Sequence, residues 1–212
     1  MNAEAIASLT TALGTLVLAV ATFGATRSAN RASRIAERSL LATLRPLLMT
    51  TQLGDPRQKV GFADDHWTHI EGVGATFEQG DDVIYLVVGL RNFGNGIGII
   101  TGWNPTPERI FSRAHEDPEK FRRQTRSLYI APAGLGFWQG ALRDPAEPVY
   151  EGFAQAIKNR TPVTVDILYT DMNGGQCTIT RLIINPGQQD HWYAVVAQHW
   201  QLDNHTPILP NE

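Results

Sequence analysis

The chain is 212 residues long, 42% hydrophobic and 18% charged, a balance that excludes intrinsically disordered, collagen-like and low-complexity chains. Its 18 Lys and Arg against 21 Asp and Glu leave a net charge of −3, which argues against a dedicated nucleic-acid binder, so no nucleic acid is expected among its partners. One cysteine, Cys177, excludes an intramolecular disulfide framework and a CxxC-type zinc site.

Between Glu4 and Arg27 the run AIASLTTALGTLVLAVATFGAT carries no charge. As a helix it spans about 33 Å, against a hydrocarbon core of about 30 Å. A secretory signal would open on basic residues, whereas this chain opens Met1-Asn2-Ala3-Glu4. A buried core helix would show a polar face, and this run has none wide enough. A transmembrane helix over residues 5–26 is therefore expected. No Lys or Arg precedes it, and Arg27, Arg31, Arg34 and Arg38 follow it. By the positive-inside rule the N-terminus faces out and the rest of the chain lies on the cytoplasmic side of the plasma (inner) membrane. A lone cysteine suits that reducing compartment.

Residues 26–44 lack Gly and Pro and are rich in Ala, Leu and Arg, so the helix is expected to run on out of the bilayer. At about 100° per residue, Arg27, Arg31, Arg34, Arg38 and Arg45 share a stripe about 60° wide, and Pro46 should end it. Three readings of the stripe stay open. It is a solvated face that marks topology, or it meets anionic lipid headgroups, or small residues beside it promote a weak homo-oligomer through Gly24, Ser28, Ala32 and Ala36. Headgroup contact favours Arg27 and Arg31 over Arg34 and Arg38, because the attraction decays over a Debye length of about 8 Å.

The composition changes at Pro46. Residues 1–45 carry 5 basic and 2 acidic side chains, a net +3, and residues 46–212 carry 13 and 19, a net −6. The second part reads as a string of strands at 46–53, 83–92, 97–103, 127–131, 136–140, 163–170, 176–184 and 192–201, each rich in Val, Ile, Tyr, Trp or Thr and bounded by turn residues. Ile84, Leu86, Val88 and Leu90 alternate onto one face, and Asp171-Met172-Asn173-Gly174-Gly175 forms a hairpin turn. The last run is apolar on both faces, as a central strand would be. The acidic segment 54–82 is a long connection with room for its own hairpin.

Asp117-Pro118 should open a short helix to Gln124, and Pro148 another that ends at Asn159, with Val149, Phe153 and Ile157 on one side. The expected architecture is a mainly β, antiparallel sandwich, Ig-like or related, with one or two short helices over residues 46–212. A transmembrane and juxtamembrane helix over residues 1–45 precedes it.

The sequence assigns no catalytic, cofactor-binding or metal residue. The glycine cluster at 92–98 is followed by the strand-like Ile99-Ile100-Thr101 rather than a helix, so it reads as a tight turn with close backbone approach. Residues 46–212 hold two serines, Ser112 and Ser127, neither in a G-x-S-x-G elbow. Cys177 lies in a strand with no group to activate it. Asp64, Asp65, His66, His69 and Glu71 form a local cluster without a metal-site spacing, His191 and His205 are scattered, and His199 reads as a hydrogen-bonded structural histidine. Lys120, Arg122, Arg123 and Arg126 alternate with Glu116, Asp117 and Glu119 and read as the solvated, salt-bridged face of a short helix.

Three segments carry a resemblance. They are the Ala/Arg/Ser/Glu-rich juxtamembrane helix ending in Leu44-Arg45-Pro46, the turn Leu90-Arg91-Asn92-Phe93-Gly94-Asn95-Gly96, and the ending Ala197-Gln198-His199-Trp200-Gln201-Leu202-Asp203. Together they resemble uncharacterised bacterial single-pass membrane proteins whose cytosolic part is a small β-sandwich. The resemblance implies that architecture and no activity. The expected function is a membrane-tethered cytosolic interaction or regulatory module without catalysis, its partners the lipid bilayer and an unidentified protein. The alternative is a membrane-anchored hydrolase or small-ligand sensor using His and carboxylate groups of the β domain.

Overall fold

The computed structural model describes residues 3–202, apart from the side chains of residues 3–10 and of Arg38. Asp203, His205 and the side chain of Arg38 therefore lie outside the described residues. The chain divides into two compact units, residues 1–43 and 44–212.

The first unit is one helix, α1 (Ala3–Thr43), long and apolar enough to cross a membrane. Its apolar side chains are uncovered by protein; Phe23 is 70% exposed and Leu18 67%. Three of its threonines turn their hydroxyls to the helix backbone. Thr15 donates to the carbonyl of Thr11 (2.9 Å), Thr22 to that of Leu18 (2.7 Å) and Thr26 to that of Thr22 (2.8 Å). These three hydroxyls are thus satisfied within the helix, as a lipid environment would demand. The helix stops at Thr43, so Arg45 is not part of the arginine stripe.

The second unit is mainly β. Its strands are β1 (Leu48–Thr50), β2 (Gln58–Gly61), β3 (Trp67–Ile70), β4 (Gly74–Gln79), β5 (Ile84–Asn92), β6 (Gly98–Thr106), β7 (Arg122–Ile130), β8 (Leu135–Leu142), β9 (Val163–Thr170), β10 (Cys177–Pro186) and β11 (Trp192–Gln201). Helix α2 spans Pro148–Asn159. All but β2 and β3 form one antiparallel sheet in the order β7-β6-β9-β10-β11-β4-β5-β8, with β1 beside the far end of β5. The sheet curls so that its inner faces meet in a sandwich-like core. Trp103 of β6 and Trp138 of β8 stand 5.3 Å apart between ring centroids.

β5 shows why the sequence folds this way. Ile84, Leu86, Val88 and Leu90 point into that core, while Tyr85 and Val87 point outward and are covered by Val60, Phe62 and Ile70 of the segment around the β2–β3 hairpin. That hairpin is the one anticipated in segment 54–82. Helix α2 buries Tyr150, Phe153 and Ala156, with Val149 and Ile157 packed beside them. Its chain ends at Arg160, which adopts a left-handed φ of 50°.

Two expectations are corrected. The helix from Asp117 to Gln124 is only a single 3-10 turn, Pro118–Lys120, capped by the Asp117 side chain. Phe121 is buried and Arg122 and Arg123 pair with Trp103 and Gly102 of β6, and this tertiary pairing outweighs the marginal stability of so short a helix. The strand expected at 127–131 accordingly begins at Arg122. β11 does lie between β10 and β4, but it pairs with β4 only at Trp192 and Tyr193, so one of its two apolar faces stays open, with Tyr193 and Val195 39% and 40% exposed.

Candidate anion-binding groove

β7 and β8 are consecutive in the chain and joined by a short turn at Ala131–Gly134, where the Gly134 N–H donates to the Ala131 carbonyl (2.9 Å). They do not pair with each other. β7 pairs with β6 and β8 with β5, so the curled sheet stays open along the seam between them. Residues 124–127 of β7 stand opposite a single residue of β6, Thr101, because Arg123 pairs with Gly102 and Leu128 with Ile100. This enlarged bulge carries Gln124, Thr125 and Arg126 out of the ladder and into the seam.

A cavity of about 860 Å³ lies there, walled by β7, β8, the β2–β3 hairpin and the segment leading to α2. Its charge contrasts with the acidic domain around it. Lys59, Arg122, Arg123, Arg126 and Arg143 line it, against Asp144 and Glu147. Two of these cations are already neutralised, Arg122 by Glu147 (2.7 Å) and Arg143 by Asp64. Lys59 lies over the Trp67 ring at 4.3 Å, and Arg126 makes a long contact of 3.5 Å to the Gln139 side-chain oxygen. Lys59, Arg123 and Arg126 have no carboxylate partner among the described residues. Phe62, Trp67, Trp103 and Phe137 supply the apolar wall. Such a lining can hold an anion with an apolar body, the guanidiniums supplying charge-assisted donors.

The hairpin wall is held by its own cluster. Asp64 accepts from the Tyr85 hydroxyl (2.7 Å) and from Arg143. The Arg143 guanidinium, aided by Tyr85, keeps the Asp64 carboxyl well below the usual carboxylate range, and burial beside that carboxylate pushes Tyr85 up. The His66 ring stacks on Tyr85 with centroids 4.0 Å apart and bonds Glu78 through Nε2 at 2.7 Å. His69 sits in β3 opposite Lys59. Asp64 and His66 are thus engaged by different partners, and no three metal-ligating side chains converge among the described residues.

The glycine turn is a structural joint. Asn92, fully buried, accepts from the N–H groups of Leu47 (3.1 Å) and Gly94 (2.9 Å) and donates to the carbonyls of Gly96 (2.7 Å) and Ile130 (3.0 Å). A Cβ at Gly94 would lie 2.1 Å from the Arg45 carbonyl oxygen, and one at Gly96 would lie 1.8 Å from that of Leu44. Glycine is required at both places because the backbone of 44–46 presses directly on the turn.

His199 bonds Thr180 (2.7 Å), and Thr180 in turn bonds the Tyr169 hydroxyl (3.2 Å); burial pushes His199 down. Cys177 is half-buried. The carbonyl of Ser112 accepts from Arg181 (2.8 Å).

Arg122, Arg123 and Arg126, expected on a solvated helix face, instead line the groove; sequence reasoning missed it because its cations come from β2, β7 and the end of β8 and its opening depends on strand order. A second feature also escaped it. Arg181 and Asp166 are register partners on β10 and β9, form a bidentate pair at 2.8 and 2.7 Å, and are almost wholly buried. Arg181 also donates to the Ala114 carbonyl (3.1 Å), and Trp200 covers it at 4.8 Å. The pair clamps the loop after β6 onto the sheet. A lone charge inside each apolar strand run, VTVDILYT and TITRLII, was the available signal.

No family model matches the chain, and no curated protein matches it. Among solved structures, the crystal structure of a protein from Archaeoglobus fulgidus is similar over 60% of this chain and 92% of its own, with 12% identity and a TM-score of 0.25.

Proposed function

We propose that the protein is a membrane-tethered binding module: α1 anchors it, the β domain faces the cytoplasm, and the groove between β7 and β8 captures an anionic partner. The observation that carries this reading is the set of three carboxylate-free cations, Lys59, Arg123 and Arg126, gathered in one cavity of a domain whose net charge is −6. The arginines that follow the span support the orientation. A cavity lined by guanidiniums and aromatic rings supports binding over acid–base chemistry, because its carboxylates are few and Glu147 is occupied by Arg122. A second reading, a sensor of a small anionic ligand, is favoured by the volume of about 860 Å³, which falls in the small-molecule range.

A photo-crosslinking residue placed at Thr125, inside the groove, tests the first reading in intact cells. It should give a discrete protein adduct that disappears when Arg123 and Arg126 are both changed to Gln. A probe at Met172, in the β9–β10 turn, should give none. Failure of the Thr125 probe to yield any adduct counts against a protein partner.

A further inference from the structure

We propose that the occupant of the groove is an extended acidic segment of a partner protein, which adds as a β-strand along the free edge of β8. The proposal rests on the binding role given to the groove above and specifies what fills it. The edge of β8 is turned to receive a strand. The Gln124 side chain reaches across the seam and donates through Nε2 to the backbone carbonyl of Gln139 at 2.8 Å, so that carbonyl faces the seam rather than β5. Backbone groups alternate in direction along an antiparallel strand. The N–H and C=O groups of Phe137 and Ala141, two residues to either side, therefore face the seam as well. All three residues line the cavity. The Gln124 side chain stands where a strand's N–H would stand, and its own Oε1 is buried without a partner.

Charge selects the kind of strand. Lys59, Arg123 and Arg126 flank this edge without carboxylates of their own, while Phe62, Trp67 and Phe137 offer an apolar wall. A segment alternating acidic and β-branched residues meets both, since successive side chains of a strand point to opposite sides. Main-chain bonds then give affinity and the side-chain alternation gives selectivity. The competing account is that the arginines only guard a bare edge against self-pairing.

The test uses the full chain in nanodiscs of zwitterionic lipid, so that headgroups do not compete for the arginines. The probe is a fluorescent (Glu-Val)4 peptide, with two N-methylated versions, one carrying the methyl groups on the Glu nitrogens and the other on the Val nitrogens. The (Glu-Val)4 peptide should bind, at least one methylated version should bind at least tenfold more weakly, and Arg123→Gln with Arg126→Gln should weaken binding at least tenfold. Hydrogen exchange should slow in segments 122–127 and 135–142 when the peptide is added. Equal affinity for all three peptides, or equal displacement by inorganic pyrophosphate, would overturn strand addition while leaving an anion site in place. Binding of neither peptide nor pyrophosphate would overturn both. If the double variant self-associates and peptide affinity is unchanged, the arginines are edge guards and the proposal fails.

Discussion

Asn92 ties three segments of the domain together through one buried side chain. Its carboxamide satisfies two N–H groups and two carbonyls at the meeting of segment 44–47, the glycine turn and the end of β7. Asn92→Ala leaves buried partners without bonds, each costing about 1–3 kcal/mol, so thermal unfolding of the full chain in detergent should show a loss of about 3 kcal/mol or more. A change within ~0.5 kcal/mol would mean that the turn is held by backbone packing alone. His199 adds a pH-dependent contribution of its own. Burial lowers its pKa below the ordinary 6.5, so the folded state holds the neutral ring while the unfolded chain still binds a proton. Its stabilising contribution is complete above pH 6.5 and is lost as the pH falls below that value toward the depressed folded pKa. Unfolding followed from pH 7.5 to 5 should show this decline, and His199→Gln should flatten it.

At the scale of elements, α1 joins an apolar stretch to a basic one along one axis. In its apolar stretch Thr15, Thr22 and Thr26 bond the helix's own carbonyls, and its basic stretch begins at Arg27. An upright helix places Arg27 and Arg31 within a Debye length of the headgroups and the later arginines beyond it. In vesicles of anionic lipid, Arg27 and Arg31 should react with phenylglyoxal about fivefold more slowly than Arg34 and Arg38, the equivalent of about 1 kcal/mol for each arginine at the surface. High salt should erase the difference. Equal reactivity at all four positions would remove the lipid role. Among the strands, β9 and β11 were legible to the residue because their β-branched and aromatic runs end in clear turn signals. β7 was not. Its first half, RRQTR, has no apolar alternation and becomes a strand only by pairing with Trp103 and Gly102.

For the whole molecule, the proposed orientation rests on the charge step across the apolar helix. With Cys177 replaced and single cysteines placed at positions 2 and 211, a membrane-impermeant thiol reagent should label intact cells at position 2 alone. Labelling at 211 would reverse the topology and place the groove outside the cell.

The sequence by itself determined the elements whose signal is local. These are the apolar helix, set by length and charge; most strands, set by residue type and turn chemistry; α2, set by its proline start and one apolar face; and the two-part division, set by the composition change at Pro46. It also marked the glycine turn, because glycine's lack of a Cβ is a local property. Only the tertiary structure decided the groove. Whether Arg123 and Arg126 lie on a helix face or along an open seam depends on β7 pairing with β6 while its chain neighbour β8 pairs with β5. That choice is made by contacts between residues far apart in the chain, the buried Trp103–Trp138 contact among them. The same holds for the Arg181–Asp166 clamp. Two charges inside apolar strands become tolerable only where register places them opposite each other, away from solvent and bonded on every side.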